Sequence, residues 1–183
     1  VVIGQSHCGG DHRELRHLTF HVAPFRYAGS GGSMVRRFKL DGEAAAGSLL
    51  ARAMAAALRA QLGGPWRRAL LVPVPLHARR RRERGFDQAL WLAQRIGRRL
   101  GLAVLPAALL RVRVTLPQGD PRVTSREQNV AGVFAVRRRR ALQGRRLILV
   151  DDVFTSGATL RACAALLRAA GASEVAAVTA CRS

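Results

Sequence analysis

The chain has 183 residues, 49% of them hydrophobic and 23% charged, which is enough for one well-buried domain and too little for two of ordinary size. Arg interrupts its apolar runs, as in Leu49 to Leu62, and none approaches the roughly 18 residues that span a bilayer. The formal net charge of +20, from 31 basic and 11 acidic residues, calls for anionic partners.

Residues 1–18 mix His, Cys, Gly and charge without a period and read as a loosely ordered leader, with the domain covering 19–183. Phe20, Val22, Phe25 and Tyr27 sit among β-formers and predict a strand or hairpin edge, ending in a flexible turn at Gly29 to Gly32. Ser33 is expected to cap a short helix through Leu40, and Ala44 to Leu62 a long one stopped by Gly63, Gly64 and Pro65. Ala69 to Val74 has the continuous apolar character of a strand buried on both faces. Asp87 is a reasonable N-cap for an amphipathic helix whose Ala89, Leu92, Ala93, Ile96 and Leu100 share one face. Leu102 to Leu105 and Leu109 to Val114 are candidate strands, and Thr115 to Gln128 a long loop.

Leu147 to Val150 predicts a four-residue strand, Thr159 to Ala170 a helix with Leu160, Cys163 and Leu167 inward, and Val175 to Thr179 the next strand. This βαβ order implies an α/β fold, a parallel sheet flanked by helices, with ligands at the C-terminal ends of its strands. Cys8, Cys163 and Cys181 are odd in number and widely spaced, which argues against a disulfide framework and fits a reducing compartment. Val1 to Ser6 shows no secretory pattern, so a cytoplasmic location without membrane insertion is expected.

The segment Leu147 to Thr159 carries the chemistry. An apolar strand runs into Asp151 and Asp152, and a hydroxyl-rich turn with Gly157 then opens a helix. Free backbone N–H groups and the helix dipole converge there on a point suited to phosphate. Gly157 admits close backbone approach, Thr155, Ser156 and Thr159 offer hydroxyls, and Ala158 adds only a methyl. Two carboxylates beside a phosphate make sense if the ligand presents vicinal hydroxyls, or a hydroxyl-bound Mg²⁺, about one sugar away.

This segment resembles the phosphoribosyl diphosphate motif of type I phosphoribosyltransferases. The resemblance implies that fold, with Asp151 and Asp152 on the ribose hydroxyls and on Mg²⁺, and Thr155, Ser156, Gly157, Ala158 and Thr159 on the 5-phosphate. A second stretch, Val72-Pro73-Val74-Pro75-Leu76-His77 followed by Arg79 to Arg82 and Arg84-Gly85-Phe86-Asp87-Gln88, resembles ComF-type competence proteins. Tyr27 with Lys39 and Gly42, and Thr115, Gln118, Arg126, Asn129 and Phe134, agree with the same family, although Asp87 stands where Asn is usual and Pro121 where Leu is common.

The resemblance thus adds Lys39, Arg79, Arg80, Arg84 and Arg126 to the ligand-binding set, the arginines suited to diphosphate by their bidentate geometry. The family often carries an N-terminal zinc ribbon. Here Cys8, with His7, His12, His17 and His21 nearby, forms no closed four-ligand set.

Three functions stay open at this level. One is a phosphoribosyltransferase acting on phosphoribosyl diphosphate with Mg²⁺, linked through the family to DNA uptake, natural transformation and other competence proteins. Another is a nucleobase-salvage enzyme, and the third a non-catalytic factor whose basic surface handles single-stranded DNA. The choice of arginine over lysine reads as the imprint of a GC-rich genome, but the scarcity of acids is not explained that way.

Overall fold

A computed structural model describes residues 17–76, 81–82, 85–113 and 132–183. Its centre is a parallel sheet with strand order β1-β7-β6-β3, built from β1 (His21–Val22), β3 (Leu70–Pro73), β6 (Arg146–Phe154) and β7 (Glu174–Arg182). A short β2 (Phe25–Arg26) also pairs with β7, so the two halves of the N-terminal edge, interrupted at Ala23 and Pro24, dock on one neighbour. β4 (Leu109–Arg111) and β5 (Phe134–Val136) form a separate antiparallel pair.

Both faces of the sheet are covered, as its continuous apolar strands require. Alternate residues of β6 enter different cores: Ile148 and Val150 join one, Leu147 and Leu149 the other. On the first face pack α1 (Ser30–Leu40), α2 (Ala44–Arg59) and α3 (Gln88–Leu100), with Phe38, Leu50, Met54, Leu92 and Ile96 fully buried. On the second lie α5 (Ala158–Ala169) and the short α4 (Arg139–Leu142), which bring in Leu160, Cys163, Leu167 and Leu142. Cys163 is an inward small hydrophobe whose thiol burial pushes well above its ordinary range.

Several boundaries differ from those expected. α1 starts at Ser30 with Gly29 in the N-cap position, and the Ser33 N–H bonds to the Gly29 carbonyl, so Ser33 lies inside the helix. Gly31 and Gly32 belong to its first turn, where a Cβ would strike the carbonyl oxygens of Arg26 and Tyr27. They are there for close packing on the edge strand, not for a flexible turn.

α2 ends at Arg59, and a 3₁₀ turn over Gly64–Arg68 leads into β3. Leu102 to Leu105 contributes a single bridge, Val104 to Leu71. Asp87 does cap α3, accepting the Leu90 N–H at 3.0 Å. The long loop expected at Thr115 to Gln128 falls outside the described residues, as does the leader up to residue 16.

Candidate functional site

β6 is nine residues long, not four, because β7 continues to pair with it as far as Phe154 opposite Arg182. The two carboxylates are therefore strand residues, and neighbours on a strand face opposite ways. Asp152 looks toward α1, where its Oδ2 lies 2.6 Å from Lys39 Nζ, and it adds to burial in pushing the Cys181 thiol up to about 11. Asp151 lies within electrostatic reach of Asp152, Lys39 and Arg111, and of the Cys163 thiol.

Burial first, and the Asp152 charge second, push the Asp151 carboxyl up to about 7, against the backbone N–H of Asp152, which donates to its Oδ1 at 2.8 Å. Burial beside a second carboxylate favours the protonated form of Asp151, so a cation or a donor hydroxyl that offsets the charge of the pair would be favoured there.

After Phe154 the chain turns through Thr155, which is exposed, and Ser156, which is half-buried, into Gly157 at φ 72°. This left-handed conformation places α5, and the N-cap residue, being glycine, offers no side chain to the first N–H groups. The Ser156 Oγ stands 3.4 Å from the Ala158 N–H, while Arg161 donates from Nη1 to the Ser156 carbonyl at 2.7 Å and pins the turn from below. Thr159 is half-buried one residue into the helix. A methyl on Gly157 would meet the Phe154 ring at 2.7 Å and Arg161 Nη1 at 2.9 Å, so the glycine is needed for space as well as for φ.

Of the residues singled out from the sequence, Lys39, Asp151, Asp152, Thr155, Ser156, Gly157, Ala158 and Thr159 come together at the C-terminal end of β6. Arg79, Arg80, Arg84 and Arg126 lie outside the described residues. Sequence reasoning missed Arg161, which bonds to the turn, Phe154, whose ring lies against Gly157, and His21, which stacks on that ring with Thr179 at its Nε2; Phe154 stood inside the motif but has no polar group to draw attention.

The phosphoribosyl transferase domain model matches residues 87–183, just over half of the chain. The chain belongs to this family and is of the ComF type. It is 33% identical over 148 residues to Competence protein F of Haemophilus influenzae, covering 78% of this chain and 63% of that protein. It is 36% identical over 113 residues to DNA utilization protein YhgH of Escherichia coli strain K12, covering 62% and 49%. Competence protein ComFC of Bacillus subtilis is 32% identical over 115 residues, covering 62% and 45%. The chain thus spans about half to two thirds of the length of these ComF-type relatives. The matched phosphoribosyl transferase region contains β6, the Gly157 turn and α5, whereas Lys39 comes from α1, before that region begins. Among the described residues, no helix is long and apolar enough to cross a membrane.

Proposed function

We propose that the β6–α5 junction binds a phosphoribosyl diphosphate-type ligand with Mg²⁺, in a protein that serves DNA uptake or utilisation. The observation that carries this reading is the acidic pair Asp151–Asp152 directly ahead of a glycine-opened helix. The turn and the first N–H groups of α5 suit the 5-phosphate, with Thr155, Ser156 and Thr159 as hydroxyl donors, and the carboxylates suit the ribose hydroxyls, each charge-assisted bond being worth about 1.5–3 kcal/mol.

The carboxylates also fit Mg²⁺, which takes one or two protein oxygens and completes its shell with ligand oxygens and water. Lys39 already places a cation against Asp152. Bound there, Mg²⁺ would offset charge on the diphosphate. Asp152 would hold the ribose as positive charge grows at its anomeric carbon, and Lys39, released from Asp152, would turn to the diphosphate.

Thermal unfolding with phosphoribosyl diphosphate and Mg²⁺ tests the reading: stabilisation supports it, and a folded protein that shows none at millimolar ligand refutes it. Release of diphosphate with a nucleophilic acceptor would separate an enzyme from a binding protein.

A second reading concerns nucleic acid. At the opposite end of β6, Arg137, Arg138, Arg139, Arg140, Arg145 and Arg168 are all exposed, and the neighbouring Glu174 is paired with Arg146 at 2.7 Å. The patch is held together by backbone bonds, Arg137 N–H to Ala108, Gly144 N–H to Gly171 and Ser173 N–H to Arg145. Arg138 stands in the left-handed region at φ 56° to start α4, and Leu142 anchors that turn in the core. Such a surface suits the backbone of single-stranded DNA, roughly 25 Å from the ligand site at the strand rise per residue.

A further inference from the structure

His21 is buried in β1 at 3% exposure, yet it is a polar residue in an apolar edge strand. Its imidazole stacks on the Phe154 ring with centroids 4.4 Å apart and planes 25° from parallel. The Arg182 guanidinium stands 5.3 Å from the same ring. Phe154 is the last residue of β6, and its ring tip lies directly against Gly157, where an added Cβ would come within 2.7 Å.

The orientation of the imidazole is fixed from the other side. Its Nε2 lies 2.9 Å from Thr179 Oγ1 on β7, and Thr179 Oγ1 donates its single proton to the Cys181 carbonyl at 3.0 Å. With that proton committed, the hydroxyl can only accept from His21, so the ring is the Nε2–H tautomer. Burial first, and the Arg182 charge second, lower the imidazole pKa to about 3, which keeps the ring neutral. A phenylalanine at position 21 would fill the space, but nothing would set the plane of its ring.

We infer that His21 is a positioning residue for the phosphate-binding turn: anchored by Thr179, it holds Phe154 flat beneath Gly157 and so fixes the backbone N–H groups that meet the ligand. The inference rests on the ligand reading above. It names an edge-strand residue, far from Gly157 in sequence, as a determinant of affinity for the 5-phosphate.

The test is titration calorimetry of the full chain with ribose 5-phosphate, comparing wild type with Thr179→Val, Thr179→Ser and His21→Phe, each shown to be folded. Thr179→Val keeps the volume and removes the acceptor, and is expected to weaken binding about five- to tenfold, the equivalent of one buried hydrogen bond. Thr179→Ser keeps the acceptor and should restore wild-type affinity. His21→Phe keeps the stack without the anchor and should weaken binding similarly, which covers the case in which Thr179→Val does not fold.

Nitrogen-15 spectra of the ligand-free protein should show His21 protonated at Nε2. Undiminished affinity in His21→Phe, failure of the serine to restore binding, or the Nδ1–H tautomer would overturn the positioning role. If wild type shows the Nε2–H tautomer but no affinity for ribose 5-phosphate, the ligand reading itself falls and the role with it.

Discussion

Lys39 Nζ lies 2.6 Å from Asp152 Oδ2, so the end of α1 is tied by charge to the strand that carries the acidic pair. The lysine side chain is 30% exposed and the carboxylate side chain 13%, enough burial for the pair to matter and enough solvent for the lysine to leave. Lys39→Met should strand the Asp152 charge and cost about 1–2 kcal/mol. For a chain of this size that lowers the melting temperature by about 3–6 °C, read by calorimetry without ligand.

Phosphoribosyl diphosphate with Mg²⁺, at about 100 times its dissociation constant, should add about 2.7 kcal/mol and raise the melting temperature by roughly 5–10 °C. Asp152→Asn replaces a charged acceptor with a neutral amide and should remove most of that shift. An unchanged shift in the variant would show that the ligand sits elsewhere.

Asp151 links stability to pH. Its carboxyl is raised from 3.8 to about 7 in the folded protein, so between those values the folded state holds a proton that the unfolded state has lost. The contribution of this group to stability is therefore present below pH 4, falls as pH rises to about 7, and stays low above it. His21, lowered from 6.5 to about 3, has the opposite slope, its contribution being present above pH 6.5 and lost in acid. Comparing Asp151→Asn with wild type isolates the first group. The variant should match wild type near pH 4 and melt a few degrees higher at pH 8, and a difference that does not grow between those values would contradict the assigned environment.

Gly157→Ala should be the most damaging single methyl at the site. It combines a left-handed φ of 72° with a contact of 2.7 Å to a ring that β6 and His21 hold in place. A loss of at least 1–3 kcal/mol, about the range for strained backbone alone, is expected in thermal unfolding, with ligand stabilisation abolished.

Single-stranded DNA binding, measured by fluorescence anisotropy across a salt series, should weaken as salt rises, with a slope near −0.7 for each phosphate contact. Arg138→Glu with Arg139→Glu should flatten that slope by about two contacts. Asp152→Asn should leave it intact, because it lies at the other end of β6 and removes negative charge. No binding at low salt would leave the arginines as compositional bias, and joint loss of DNA and ligand binding in Asp152→Asn would merge the two sites.

Leu147 to Thr159 could be read for what it is because every signal in it is local. Apolar continuity, two adjacent acids, a glycine and a run of hydroxyls lie within one strand, one turn and one helix start. The parallel α/β class followed from the same alternation, and Asp87 from its place ahead of an apolar period. Strand length was not legible, because β6 passes through two charged residues only by pairing with β7 to Arg182, and cross-strand bonding leaves no mark in the strand's own composition. Gly31 and Gly32 looked like a loop because sequence cannot distinguish a glycine needed for φ from one needed for space.

The union of Lys39 with Asp152 and the stack of His21 on Phe154 were decided by tertiary structure alone. Each joins residues distant along the chain through a parallel sheet, where neighbouring strands are brought together by crossovers and not by sequence proximity.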